Sequence, residues 1–325
     1  MEIISDKKQF FDTIKDFEYI PFTQTEGWYN YHNTQKPGKI IFLVDNIHNP
    51  SIACFAHEKK FFSLKMLMIS GEALVSELIS WKQIQTFYKD ITALGYDFIE
   101  VNSLAIYNSK YETGIRKAGY LRPVGLFSST QSILIDLEKE LSFDKNWKKN
   151  LKLATKQNLS FEVIEKIEEK HIREFFLLYQ HLLKDKGFEN AINEKQIKEL
   201  LSSSFFGMAN VRDSQNLPQA YFIFYKRGKY AESLFRAKSD TAKQNGASFY
   251  LYFKLLEYLR MNGFKSFDMG KISPGVKGKD GVANFKLGIN GSYIIYNGEW
   301  SWYKKSFYRP LMYFVKKYLF KKIEV

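Results

Sequence analysis

Short apolar runs separated by polar turns mark the strands of this chain. Lys39 to Val44 is one such run, followed by the turn Asp45-Asn46-Ile47-His48-Asn49-Pro50 and a second strand from Ile52 to His57. The same order returns far downstream. Phe206 to Val211 leads into Arg212-Asp213-Ser214-Gln215-Asn216-Leu217-Pro218, and the strand Gln219 to Tyr225 follows.

Each copy then supplies an aromatic-rich segment with helical periodicity, Ile79 to Ala93 and Phe249 to Met261. Both helices are expected to stop at a glycine, Gly95 and Gly263, and each glycine leads into a strand, Asp97 to Val101 and Lys265 to Met269. Pro50 and Gly95 are 45 residues apart, as are Pro218 and Gly263. Equal order, punctuation and spacing predict a duplicated α/β (α+β) architecture. The join is expected near Leu141-Ser142-Phe143-Asp144, after the first half's last strand, Gln131 to Leu137. That places one domain at 1–143 and the other at 144–302, with a helix at 303–325 packing on the first.

The 325 residues suffice for two such cores, and 45% hydrophobic with 26% charged residues is ordinary for a globular protein. The single cysteine, Cys54, lies in an apolar run and excludes an internal disulfide framework. The five histidines show no metal-ligand spacing, and neither a metal nor a bound cofactor is expected. No stretch reaches the roughly 20 apolar residues of a membrane span, which leads to the expectation of a cytoplasmic protein. A net charge of +13 favours anionic partners without choosing among RNA, nucleotide-linked substrates and an acidic membrane face.

Strand, hairpin, helix, strand, twice over, resembles the FemAB family of peptidoglycan-bridge aminoacyltransferases. The family's members contain two domains of the GNAT acyltransferase fold. Pro21-Phe22-Thr23-Gln24-Thr25-Glu26-Gly27-Trp28 is similar to the family's Phe-x-Gln-x-x-x-Trp opening. Gly263-Phe264-Lys265-Ser266-Phe267-Asp268-Met269-Gly270, a Gly/Lys-rich loop and then Phe285-Lys286-Leu287-Gly288 form the late part of the resemblance. It implies two tandem GNAT-like domains, each a mixed, mostly antiparallel sheet flanked by helices. No sustained heptads exist here, so the coiled-coil arm of longer members is not expected.

The resemblance also implies a site. Phe285 and Lys286 would lie on a strand lining the reaction cleft, where an ammonium stabilises the oxyanion formed as an amine attacks an ester. Arg236, at the end of a strand pointing into the same cleft, would fork onto phosphate or carboxylate of the acceptor. Tyr179, Lys186 and Phe188 resemble the family's acceptor-binding helix end. Lys271 opens the loop from Gly270 to Gly281, which misses the P-loop pattern, shows no clear helix after it and reads as a lid or a plain surface loop. Asn102 stands where members often carry an aspartate, so a base at that position is in doubt. Asp268 is the corresponding second-half acid and is expected to bond the turn that follows it.

Lys145, Lys148, Lys149, Lys152 and Lys156, with no acid between Lys145 and Phe161, predict a basic amphipathic helix. Its face is either solvated or suited to nucleic-acid phosphate. The segment from Tyr303 to Lys322 is also basic and amphipathic, and suits either a cap on the first domain or a peripheral membrane contact. The implied function is transfer of an aminoacyl group from aminoacyl-tRNA to an amine of an anionic peptidoglycan or surface-glycan precursor. Two alternatives stand beside it: an acyl-CoA-dependent N-acyltransferase acting on an amino sugar or amino acid, and a non-catalytic RNA-binding protein. The acyl-CoA reading would place CoA diphosphate on the turn from Lys243 to Ser248.

Overall fold

The structure is a computed structural model that describes residues 1–34, 38–61, 63–76, 79–124, 130–186, 192–273 and 280–319. The chain forms two compact units, one of residues 1–29, 36–130 and 295–325, the other of residues 30–35 and 131–294.

In chain order the first unit contributes β1 (Glu2–Ile4), α1 (Lys7–Ile14), α2 (Glu26–Asn33), β2 (Ile40–Val44), β3 (Ile52–Phe61), β4 (Leu64–Ile69), β5 (Ala73–Leu74), α3 (Trp81–Thr92), β6 (Phe98–Ile106) and α4 (Ser109–Lys117). There follow β7 (Gln131–Asp136), α5 (Lys145–Ala154), β8 (Ser160–Ile164), α6 (Glu169–Lys186), α7 (Glu194–Leu201), β9 (Phe206–Arg212), β10 (Pro218–Arg227), β11 (Tyr230–Lys238), α8 (Ala242–Asn245), α9 (Ala247–Met261), β12 (Ser266–Asp268) and α10 (Asp280–Leu287). The chain ends with β13 (Ser292–Tyr303), α11 (Tyr308–Phe314) and a π-helical turn over Val315–Leu319.

The two sheets repeat one plan. In the first, the order is β1-β2-β3-β4-β6-β13, antiparallel except where β4 and β6 run parallel. In the second, the order is β8-β9-β10-β11-β12-β7, antiparallel except for the parallel pair β11 and β12. Gly95 and Gly263, at φ 84° and 78°, close the equivalent helices α3 and α9. The last strand of each copy is exchanged. β7, assigned from sequence to the first half, pairs with β12, and β13, from the second half, pairs with β6. The units therefore divide at residues 130/131 and 294/295 rather than 143/144 and 302/303. Apolar alternation fixes that a segment is a strand, but its partner is a long-range choice.

The near-continuous apolar strands follow from burial on both sheet faces. On β2, Ile41 and Leu43 pack with Ile84, Phe87 and Ile91 of α3, while Phe42 and Val44 pack with Phe10 and Ile14 of α1. On β10, Ala220, Phe222 and Phe224 meet Tyr252, Leu255 and Leu259 of α9. Tyr221, on the opposite face, meets Phe175 of α6. The opening motif has a structural task here. The amide of fully buried Gln24 accepts from the Phe55 N–H at 2.7 Å and donates to the carbonyls of Phe55 and Ser70.

Candidate active site

A cleft of about 880 Å³ opens in the second unit. Two features of β11 shape it. Its parallel pairing with β12 stops at Glu232 opposite Asp268, although β11 runs on to Lys238. Its register with β10 jumps from Phe235 opposite Ile223 to Ser233 opposite Phe224, leaving Leu234 as the extra residue of a bulge. Bulges bend a strand and re-aim its side chains. Leu234, Phe235 and Arg236 all line the cleft, as do Tyr179, Tyr221, Tyr252 and Phe285.

Arg236 is one of the cations of this cleft, with Lys238 and Lys243, and sits beside its aromatic rings. Its guanidinium donates to the Tyr252 hydroxyl at 3.1 Å, and among the described residues it forms no ion pair. Tyr252 also carries the Phe285 ring at 5.0 Å, and Phe285 in turn packs on Phe249 and Trp147 at 4.9 and 5.0 Å. The Trp147 indole N–H donates to the Phe285 carbonyl at 2.7 Å, tying α5 to α10. A Cβ at Gly288 would stand 2.5 Å from the indole, so the glycine that closes Phe285-Lys286-Leu287-Gly288 admits the tryptophan.

Lys286 faces the other way. It lies on the helix α10 rather than on a strand, only 4% exposed, and its amine donates to the carbonyls of Gly270 and Lys271 at 2.9 and 3.0 Å. Burial, reinforced by the neighbouring Arg236 charge, lowers its pKa to about 7 against the pull of Asp268 and Glu232. The resemblance implies an ammonium lining the cleft, whereas here the amine is turned to two backbone carbonyls. Glu232 is pushed well above the usual carboxylate range by burial and by Asp268, with Tyr230, Lys271 and Lys286 pulling it back. Asp268 accepts from the Ser132 hydroxyl and, at 2.8 Å, from the Gly270 N–H, so it does bond the turn that follows it. Behind the cleft, then, lie an amine whose pKa burial lowers to about 7 and a carboxyl that burial raises above its usual range, two groups able to exchange protons.

The structure gathers some of the expected residues and separates others. Arg236, Tyr179 and Phe285 line one cleft, and the backbone of Lys271 meets Lys286 behind it. Lys186 ends α6, Phe188 lies outside the described residues, and so does the loop over residues 274–279. Contrary to expectation, a helix, α10, follows that loop. Asn102 belongs to β6 of the first unit, paired with Glu299, and is absent from the described cleft lining. Its buried amide oxygen has no hydrogen-bond partner among the described residues. Lys145, Lys148, Lys149, Lys152 and Lys156 are all exposed on α5 or just beyond it, and Asn146 of the same helix reaches the cleft wall. Sequence reasoning missed Tyr252, Tyr221 and Glu232. The last had a legible signal, an acid inside an otherwise largely apolar strand.

No protein-family model matches this sequence, and no curated protein matches it. Solved structures do. FemX superposes with a TM-score of 0.74 at 11% identity, over 96% of this chain and 100% of its own. L-PGS from Bacillus licheniformis follows with a TM-score of 0.65 at 13% identity, over 95% of each chain. The C-terminal domain of a putative lysylphosphatidylglycerol synthetase from Agrobacterium fabrum reaches 0.60 at 13% identity, over 94% of this chain and 93% of its own. The chain thus shares the fold of FemX over 96% of its residues, with one strand plan repeated in its two units.

Proposed function

We propose that the second unit's cleft binds an activated acyl donor and passes its acyl group to an amine. The observation that carries this reading is Arg236, a cleft-lining guanidinium with no ion-pair partner among the described residues, set on an aromatic floor of Tyr252 and Phe285. Such a fork holds a phosphate or carboxylate while the rings exclude water from the ester. The FemX-like fold supports an acyltransferase by analogy of architecture.

In its finer form, the donor is aminoacyl-tRNA and the acceptor is an amine of a peptidoglycan or surface-glycan precursor. The amine nitrogen attacks the ester carbonyl carbon, the C–N bond forms, and the ester C–O bond breaks to release the tRNA hydroxyl. The amine's proton passes to the leaving ribose oxygen by way of Glu232, raised above the usual carboxylate range, and Lys286, lowered to about 7. The five exposed lysines around α5 adjoin the cleft and would hold tRNA phosphates without reading sequence.

A second reading, acyl-CoA as donor, is favoured by one observation. Gly246, at φ 72°, lets α9 begin against α5, where a Cβ would stand 2.7 Å from the Asn150 carbonyl. Lys243 and Ser248, on either side of this turn, line the cleft, a setting suited to diphosphate at a helix N-terminus.

A donor test separates these readings. Labelled aminoacyl-tRNAs and labelled acetyl-CoA are each offered with a pool of amine-bearing cell-wall and amino-sugar precursors, with Arg236→Ala as control. Label moving from tRNA, and lost in the variant, supports the finer reading. Label moving only from CoA moves the protein to the second. RNA binding without transfer from either donor would overturn acyl transfer and leave the RNA-binding alternative.

A further inference from the structure

Helix α11 of the first unit has two apolar faces, of which only one is buried among the described residues. Tyr308 and Met312 of α11 are buried against Phe98, with Leu64 and Met66 of β4 alongside. Phe307, Leu311, Phe314 and Tyr318 recur at spacings of four, three and four residues, and are 55%, 39%, 55% and 63% exposed. Helical periodicity puts them on a single stripe about 100° around the helix from the buried one. The π-helical turn brings the Phe314 and Tyr318 rings nearly parallel at 6.0 Å. Four large apolar side chains held in a row on a solvent face mark an interaction surface.

Charge indicates what covers it. From Trp300 to Leu319 the chain carries Lys304, Lys305, Arg309, Lys316 and Lys317 and no acidic residue. The lysines flank the stripe: Lys305 stands 5.9 Å from the Phe307 ring, and Lys317 stands 5.6 Å from the Tyr318 ring. Exposed Lys59 lies opposite Met66 in the β3–β4 register, on the sheet face that receives α11. A second copy of this surface is disfavoured, because pairing would set two such clusters of positive charge against each other. Aromatic rings edged by lysines and arginine match the boundary between headgroups and acyl chains of an anionic bilayer.

We infer that the Phe307-Leu311-Phe314-Tyr318 stripe docks this protein in the plane of an anionic lipid surface. The rings enter the acyl boundary, and the flanking cations meet lipid phosphates. This inference does not depend on the acyl-transfer reading, since it concerns a different surface.

Co-sedimentation of the full chain with phosphatidylcholine vesicles, with and without phosphatidylglycerol, tests it. Partitioning is expected to be about tenfold stronger or more on the anionic vesicles and to weaken with salt. The triple change Phe307→Ser, Phe314→Ser and Tyr318→Ser should abolish it, as should Lys304→Gln, Lys305→Gln, Arg309→Gln and Lys317→Gln combined. Unchanged urea-unfolding midpoints keep loss of fold apart from loss of docking. A Phe314→Trp variant should show indole fluorescence quenched by brominated acyl chains. Absence of vesicle binding, or binding that both sets of changes leave intact, overturns the inference. So does self-association that the serine variant abolishes without any vesicle binding, which would assign the stripe to a second copy.

Discussion

Trp147 and Phe285 are joined twice, by an indole N–H to carbonyl hydrogen bond of 2.7 Å and by ring contact at 5.0 Å between centroids. Trp147 is fully buried on α5, whose outer face carries the lysines, and Phe285 lines the cleft from α10. A single residue pair thus couples the basic helix to the cleft wall.

Replacing Trp147 with Phe keeps most of the apolar contact but removes the donor. A buried carbonyl left without its partner costs about 1–3 kcal/mol. Urea unfolding should show that loss, and transfer activity should fall with it as Phe285 loosens. Unaltered stability would mean that the hydrogen bond contributes nothing.

Arg236→Ala should lower kcat/KM for the anionic donor on the order of tenfold to hundredfold with little change in stability. Arg236→Lys should recover only part of the loss, because a point charge cannot reproduce a bidentate fork. Steady-state kinetics of the three proteins checks both statements.

Lys286 gives stability a pH dependence of known sign. Its folded pKa is lowered to about 7 from an ordinary 10.5, so between those values the unfolded chain holds a proton that the folded chain does not. Stability from this group therefore rises as pH increases from 7 toward 10.5, by at most about 1.4 kcal/mol per pH unit. Unfolding of the wild type and Lys286→Met at pH 7, 8 and 9 isolates it. The wild type should gain on the variant as pH rises, and parallel profiles would contradict the assignment.

Glu72, in the first unit, behaves in the opposite sense. Its carboxyl accepts from Ser103 at 2.5 Å and Tyr88 at 2.9 Å, yet burial raises its pKa to about 7. The folded chain keeps this proton from pH 4.5 up to about 7, where the unfolded chain has lost it. The contribution is present below 4.5 and declines as pH rises through that window. Glu72→Gln should flatten the decline, measurable by unfolding at pH 5, 6 and 7.5.

Lys148→Gln, Lys149→Gln and Lys152→Gln together should weaken tRNA binding and reduce the slope of log affinity against log salt by about one unit per lost phosphate contact. Filter binding across a salt series reads both quantities. The same weakening with an unchanged slope would show that these lysines do not meet phosphate.

Much of the duplication was legible, because apolar runs, polar turns and helix-closing glycines are local signals set by backbone sterics and burial. Cleft membership was legible for Arg236, Tyr179 and Phe285 through resemblance alone. Lys286 was misplaced onto a strand. The segment from Asp280 to Leu287 contains Gly281 and Asn284, poor helix formers, and its helix is held by tertiary burial of Ala283 and Lys286.

The sequence by itself determined the elements, their doubled order, the positive charge and the aromatic supply. Only the tertiary structure decided that β7 and β13 are exchanged between the two sheets, that β11 bulges at Leu234, and that the Lys286 amine turns to two backbone carbonyls. The reason is physical. Hydrophobic periodicity states which face of an element seeks burial, whereas strand partners, bulges and the surroundings of a buried charge depend on residues far away in the chain.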